Sequence, residues 1–424
     1  MNSYEDILAL ADRCVKCGLC LPQCPTYHLS RNENESPRGR IALIQALANS
    51  ELDAADNTLY QHLDNCLLCR RCERICPSGV EYGRIMDMAR EQISQVRPAS
   101  RLNRLGRRLL SHHMQGACRS LRLYQKSGAQ KLLRPLLQQN KTLAWLQSLV
   151  PALPATPTFK AHYPSNHKTG SDSAGHVAIF TGCMGKNIDA LTLQAAIDLL
   201  NALGYSVSLP HGQRCCGALQ QHSGQASESQ TLASDNLQAF NNPDYDAVLF
   251  LASGCGAQLM EYPQLDWSNT EQQAKAVQLQ QTLQDINGFI ATALQQQPLR
   301  FAALDKRVVV HQPCSQRNAL RQPDRASMLL THIPEIHLSS LPEDSPCCGA
   351  AGDYMLRHPQ QAQALRQHLL DRILTDEVDI IVSSNIGCSL FIQAGLEGRG
   401  IRVIHPVQLL AEQLTRDKGQ ETRN

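Results

Sequence analysis

Residues 14–25 read Cys14-Val15-Lys16-Cys17-Gly18-Leu19-Cys20-Leu21-Pro22-Gln23-Cys24-Pro25, and residues 66–77 read Cys66-Leu67-Leu68-Cys69-Arg70-Arg71-Cys72-Glu73-Arg74-Ile75-Cys76-Pro77. Both fit C-x2-C-x2-C-x3-C-P, a spacing that carries [4Fe-4S] cubanes. Three closely spaced thiolates hold three irons, and the fourth cysteine, beyond the turn, ligates the other cluster in two-cluster ferredoxins. The expectation is two [4Fe-4S] clusters, the first on Cys14, Cys17, Cys20 and Cys76 and the second on Cys66, Cys69, Cys72 and Cys24. Crossed ligation of this kind staples two distant segments into one unit. Structural zinc also accepts four thiolates, but two complete runs with both prolines are far more specific than a lone CxxC.

Of the 17 cysteines, eight precede Val80, Cys118 stands alone, and eight lie between Cys183 and Cys388. A lone cysteine on a helical segment reads as a small buried hydrophobe. The last eight fall in a repeat. Its first copy runs from an apolar strand, His176–Phe180, to Cys183, a helical stretch from Ile188 to Leu203, Cys215-Cys216-Gly217, a strand Ala247–Leu251 and Ser253-Gly254-Cys255. The second copy has the strand Arg307–His311, Cys314, a helix near Gln316–Leu330, Cys347-Cys348-Gly349, a strand Asp379–Val382 and Ile386-Gly387-Cys388. Short buried strands alternating with helices predict two α/β lobes with mostly parallel sheets. The cysteines follow the carboxyl ends of strands, where open α/β sheets place their ligands, so the lobes are expected to face each other across pseudo-symmetric sites. Four thiolates per lobe, Cys183, Cys215, Cys216 and Cys255, then Cys314, Cys347, Cys348 and Cys388, form a further candidate site for an iron-sulfur cluster or zinc. A reduced, packed cysteine cluster or a dithiol switch is the alternative. The glycine of each triplet reads as room for close backbone approach to a bulky ligand.

The fold class is thus α/β, with a mainly helical two-cluster ferredoxin domain (1–95), a helical segment and linker (96–172) and two cysteine-rich lobes (173–300 and 301–424). Leu102, Leu105, Leu109, Leu132, Leu136 and Leu137 give the segment helical periodicity. Prolines 151, 154, 157 and 164, followed by the polar stretch Ser165–Gly175, read as an exposed linker. Ser36-Pro37-Arg38-Gly39-Arg40 reads either as a helix start with solvated arginines or as a source of positive charge beside the clusters. His211, His222 and His311 accompany the cysteine loops and read either as ligands or proton donors near a quinone or, as expected here, as surface or hydrogen-bonded structural groups.

Forty Lys and Arg against 38 Asp and Glu leave a net charge of +2, which gives no argument for nucleic acid. Aromatic content of 4% is poor for base stacking. No stretch reaches the roughly 18 consecutive apolar residues of a spanning helix, and the acidic start Met1–Leu10 is unlike a secretory signal, so a cytoplasmic location is expected. Arg101, Arg104, Arg107, Arg108, Arg119 and Arg122 make a basic face, solvated or in peripheral contact with a membrane or partner. No GxGxxG after a strand and no P-loop is present, so the chain offers no dinucleotide site of its own.

Taken together, the two cysteine runs, the Ser-Pro-Arg-Gly-Arg segment, both Cys-Cys-Gly triplets, Ala252-Ser253-Gly254-Cys255-Gly256 and Ser384-Asn385-Ile386-Gly387-Cys388 resemble the iron-sulfur subunit of bacterial glycolate oxidase over almost the whole chain. The resemblance implies a non-flavin subunit of an oxidoreductase complex. In that family an FAD-containing subunit oxidises glycolate, D-lactate or a related 2-hydroxy acid, and electrons pass through the iron-sulfur subunit toward the quinone pool. The lobes are also similar to the cysteine-rich domain of heterodisulfide reductase, which binds noncubane clusters with five cysteines per repeat. That likeness implies the alternative in which the C-terminal site itself reduces a disulfide or quinone. Here Ala252 and Asn385 stand where that pattern has a fifth cysteine, so its clusters do not transfer directly.

Overall fold

The computed structural model describes residues 4–98, 105–106, 114–130, 137, 139–153, 157–165, 174–375 and 377–415. The N-terminal unit is helical. Ile7, Ile41, Ile44, Leu63, Ile85, Met86 and Ile93 form its core, and Cys66 and Cys72 pack within it. Its helix Pro37–Ala48 starts as the sequence predicts: Ser36 Oγ accepts from Gly39 N at 3.0 Å and proline fills the first position. Gly39 is obligatory there, because a Cβ would stand 2.0 Å from the Glu33 carbonyl oxygen.

Of the intervening segment, helices Met114–Lys126 and Lys141–Ser148 are described, and Cys118 is buried on the first. Leu102, Leu109, Leu132 and Leu136 lie outside the described residues, as do Arg101, Arg104, Arg107 and Arg108 and residues 154–156 and 166–173 of the expected linker, whose described part includes the strand His162–Tyr163. Trp145 docks on the second lobe, edge-on to Phe391 at 5.9 Å, with its indole N–H donating to Met355 O at 3.0 Å.

The lobes carry one sheet each. The first is β1 (His162–Tyr163), β2 (Gly175–Phe180), β3 (Tyr205–Ser208), β4 (Ala247–Phe250) and β5 (Leu283–Asp285) in the order β1-β3-β2-β4-β5. The second is β6 (Arg307–His311), β7 (His337–Ser340), β8 (Ile380–Ser383) and β9 (Arg402–Ile404) in the order β7-β6-β8-β9. All pairings are parallel except β1 with β3. Strand alternation divides the sheet faces. Val177, Ile179 and Leu249 join Val308, Val310 and Val382 in one core shared by both lobes, together with helices Ala190–Ala202, Ile286–Gln296, Arg325–Leu330 and Pro406–Glu412. The opposite faces form separate cores, one holding Cys215 and Cys216 and the other Cys348 and Cys388. The helix expected from Gln316 to Leu330 is instead a π-helical turn, Ser315–Ala319, and a short helix from Arg325, parted by Arg321 in the left-handed region (φ 51°) and by Pro323.

Candidate iron-sulfur centre

Each cysteine run bends through the same backbone device. The second and fourth residues after the first cysteine are left-handed: Lys16 and Gly18 in the first run, Leu68 and Arg70 in the second, with φ of 54°, 86°, 49° and 55°. For a non-glycine this costs on the order of 1–2 kcal/mol, and the loop turns its cysteines toward one centre in exchange. Arg70 is held in that conformation by Glu73 at 2.6 Å and by an ion pair with Glu261 from the first lobe. Leu68 N donates to Cys66 Sγ at 3.4 Å.

Cys14, Cys17, Cys20 and Cys76 line one cavity, with Arg38 and Tyr82. Cys24, Cys66, Cys69 and Cys72 line a second, with Arg40 and Tyr82. Cys72 lines both cavities. The donor set is soft thiol on all sides, as an iron-sulfur cluster requires. Among the described residues no three His, Cys, Asp or Glu side chains converge to hold a single metal ion, whereas zinc draws its thiolates to one point at about 2.3 Å. The cavities therefore fit an extended cluster better than a lone ion. Burial pushes the Cys20 thiol up to about 11, and it raises Cys69 and Cys72 with help from neighbouring sulfurs. Gathering these thiolates is unfavourable unless metal charge offsets their repulsion.

The two arginines of the Ser36–Arg40 segment divide between the cavities. Arg38 lies at the rim of the first, donating to Glu33 at 2.6 Å and to Lys16 O at 3.1 Å. Arg40 is fully buried at the second, with Nε donating to His62 O at 2.7 Å and Nη1 to Thr26 Oγ1 at 3.1 Å and Cys24 Sγ at 4.0 Å. Its remaining partners are the Glu35 backbone carbonyl and the Glu35 carboxylate, which also binds His62 at 2.6 Å and Asn65 at 2.7 Å. Burial opposes the guanidinium charge, but the adjacent Cys66, Tyr82, Cys24 and Glu35 outweigh it and raise its pKa. The segment does start a helix, but Arg40 is buried rather than solvated, and it places positive charge beside the cysteines.

In each lobe, two strands that part to opposite sides of the sheet create the crevice that holds the cysteines. β3 and β4 flank β2, and β7 and β8 flank β6; such switch points are where open α/β sheets bind ligands. The second-lobe quartet is a contiguous chain. Cys347 contacts Cys314 and Cys348, and Cys348 Sγ lies 3.0 Å from Cys388 Sγ. Hydrogen bonds from Cys314 and Cys348 hold the Cys347 thiol well below its ordinary value, with Gly349 N 3.4 Å from its sulfur. In the first lobe Cys183 contacts Cys215, and Cys216 contacts Cys215 and Cys255. Asn385, in the position of the absent fifth cysteine, donates to Cys388 Sγ at 3.4 Å. The triplet glycines serve packing rather than a ligand. Both have φ of 85°, and a Cβ would meet Ser229 Oγ at 2.8 Å or Ala362 O at 2.6 Å, in the helix behind each loop.

The second-lobe quartet adjoins the N-terminal unit directly. Cys69 lines the second cysteine cavity and also a pocket with Cys314, Cys347, Cys348 and Cys388, and Asn318 Nδ2 donates to Cys69 O at 2.8 Å. Asp64 anchors this junction to His358 at 2.9 Å and to Arg357. Burial acts to raise the Asp64 pKa, but His358 and Arg357 hold it down at about 2. Between the lobes lies a cavity of ≈ 500 Å³, lined by both quartets and by residues 66–70. Of the three histidines, His311 is buried against Ser383 Oγ at 3.0 Å and burial lowers it to about 4, so it is neutral. His222 binds Asp87 at 3.1 Å on the interlobe cavity wall. Tyr82, Asp64 and the bridging positions of Cys69 and Cys72 carry no signal in the sequence beyond the cysteines themselves.

Comparison with known proteins agrees with this layout. A family described as "4Fe-4S dicluster domain" matches residues 10–80, and one described as "Cysteine-rich domain" matches 177–260 and 308–393. The chain is 33% identical to the "Probable glycolate oxidase iron-sulfur subunit" of Bacillus subtilis (strain 168), over 94% of this chain and 93% of that protein. The chain belongs to the glycolate oxidase iron-sulfur subunit family. The Escherichia coli (strain K12) "Glycolate oxidase iron-sulfur subunit" is 31% identical over 95% of this chain and 94% of its own length. A "Lactate utilization protein A" from Bacillus velezensis is 25% identical over 55% of this chain and 98% of its own length. The family carries two [4Fe-4S] clusters in its dicluster domain. Among the described residues no helix is long and apolar enough to cross a membrane.

Proposed function

We propose that this chain is the electron-relaying subunit of a 2-hydroxy acid dehydrogenase complex, passing electrons from an FAD-containing subunit that oxidises glycolate or D-lactate toward the quinone pool. The observation that supports this most is the unbroken series of cysteine-lined cavities. It starts at Cys17, which is exposed at the surface between Val15 (68% exposed) and Leu19 (53%). From there Cys72 joins the first cavity to the second, and Cys69 joins the second to the second-lobe quartet and the interlobe cavity.

In this reading Cys14, Cys17, Cys20 and Cys76 hold one [4Fe-4S] cluster, and Cys66, Cys69, Cys72 and Cys24 the other. When bound, the clusters supply one-electron carriers, which a two-electron flavin needs to discharge stepwise. The protein's own residues position the carriers and set the charge around them. The exposed Val15, Leu19 and Cys17 form the entry face for the flavoprotein, and Arg38 and Arg40 place positive charge where an added electron is received. The C-terminal quartets are the far station, as further clusters or as thiols. Attachment to the inner face of the cell membrane is peripheral in this reading.

Iron and sulfide analysis of the anaerobically reconstituted full chain, with EPR after reduction, tests the assignment. About eight iron per chain is expected from the N-terminal cavities, and more if the quartets are occupied. Four or fewer refutes the two-cluster assignment.

A further inference from the structure

The interlobe cavity, at ≈ 500 Å³, falls within the about 300–1,000 Å³ of an ordinary ligand site, and its walls are mostly apolar. Leu67, Phe180, Met184, Leu219, Leu251 and Leu356 line it. One polar group there is out of place. Gln258, only 2% exposed and one turn beyond Cys255, has neither its amide nitrogen nor its amide oxygen hydrogen-bonded among the described residues. A buried unpaired amide costs about 1–3 kcal/mol, so it marks a place where a polar atom of a ligand is missing.

Two of the three arginines on the wall are neutralised by carboxylates: Arg70 by Glu73 and Glu261, and Arg357 by Asp64 and Asp353. Arg90 meets only the carbonyls of Leu63, Cys66 and His222, and its Nε is unpaired among the described residues. The ligand class is therefore set by the apolar walls and the unpaired carboxamide, which suit a lipophilic molecule with a few hydrogen-bonding oxygens.

We propose that the interlobe cavity binds a lipophilic quinone as terminal electron acceptor, its ring beside the cysteine quartets and one carbonyl anchored by the Gln258 carboxamide. This rests on the relay reading above and adds the acceptor's position. The carboxamide donates to a quinone carbonyl and accepts from a quinol hydroxyl, so it serves both redox states. Reduction takes two electrons from the relay, itself reduced by the flavoprotein, and two protons, one onto each carbonyl oxygen. Two proton donors stand on the cavity wall. Burial lifts the Asp189 carboxyl to about 7 against its bond to Thr192, well above the usual carboxylate range. The Asp87 carboxylate overcomes burial to keep the His222 imidazole protonated more readily than usual.

The test is decylubiquinone titrated into the anaerobically reconstituted full chain by calorimetry. One site per chain is expected, weakened at least tenfold by Gln258→Leu and lost when Ala257→Trp intrudes on the cavity beside Gln258, with iron content and the dithionite-reduced EPR signal unchanged. Absence of binding to the wild type, or equal binding by both variants, overturns the site. Binding of glutathione disulfide in place of the quinone overturns the ligand class. Reduction of the clusters by the flavoprotein and substrate is followed separately: if it proceeds while decylubiquinone fails to bind, the relay stands and this site is wrong.

Discussion

Replacing Arg40 by Gln should lower the reduction potential of the second N-terminal cluster. The guanidinium is fully buried with Nη1 4.0 Å from Cys24 Sγ. Two unit charges at that separation interact by about 4 kcal/mol at an effective dielectric of 20. The added electron spreads beyond that one sulfur, and the Glu35 carboxylate opposes the guanidinium, so roughly 1.4–2.8 kcal/mol survives. For a one-electron couple this is about 60–120 mV. Removing the cation alone also strands a buried carboxylate, which costs about 3–5 kcal/mol in stability. The Arg40→Gln/Glu35→Gln double variant removes both charges and separates potential from folding. The assay is an EPR-monitored redox titration of the reconstituted full chain. A second-cluster potential within about 20 mV of wild type in Arg40→Gln, at full iron content and with the double variant showing that the fold tolerates the change, would falsify the assignment of Arg40 to charge compensation, given the tenfold-per-59 mV scale.

Four further outcomes follow from the same geometry. Val15→Glu with Leu19→Glu should slow flavoprotein-driven reduction at least about tenfold, a 1.4 kcal/mol penalty at the entry face, while dithionite reduction is unchanged; equal rates by stopped-flow absorbance would locate the entry elsewhere. Cys24→Ser should remove the cluster of the second run although Cys24 belongs to the first, as Mössbauer quantitation of separately assigned clusters can show. Asp64→Asn should destabilise the junction between the N-terminal unit and the second lobe by about 2 kcal/mol, from a pKa held near 2 against an ordinary 3.8. That contribution is complete above the unfolded pKa and fades as pH falls through about 2, so the wild-type advantage in urea melts should vanish in strong acid. Gly39→Ala, which drives a Cβ to 2.0 Å from the Glu33 carbonyl oxygen, should lower the denaturation midpoint by more than the few tenths of a kcal/mol typical of a tolerated surface change.

The elements most legible in the sequence are those set by local pattern. The apolar runs within Arg307–His311 and Ala247–Phe250 are strands because three or four apolar residues in a row, Val308–Val310 and Ala247–Phe250, are buried on both faces. The repeat is readable because each copy places cysteines after the same strands. Other features depend on packing between distant segments. The break after Ala319 needs the left-handed Arg321 as well as Pro323, and the common core of the two lobes joins Ile179 to Val310 across more than a hundred residues. The cysteine spacing names the site residues, but not that Cys72 lines two cavities or that Cys69 reaches the second-lobe quartet. Likewise Ser-Pro-Arg-Gly-Arg does not tell which arginine is buried, since both have the same local propensity; the Glu35–His62–Asn65 network decides it. The triplet glycines suggest room for a ligand when only the chain is considered, and the helices carrying Ser229 and Ala362 show instead that they make room for backbone.

Rapid-freeze EPR of the reconstituted chain, mixed anaerobically with its flavoprotein subunit and glycolate or D-lactate, tests the relay most directly. Reduced [4Fe-4S] signals should grow in within the turnover time of the complex and decay when quinone is added. Clusters that dithionite reduces but that stay oxidised while the flavoprotein turns over substrate would contradict it.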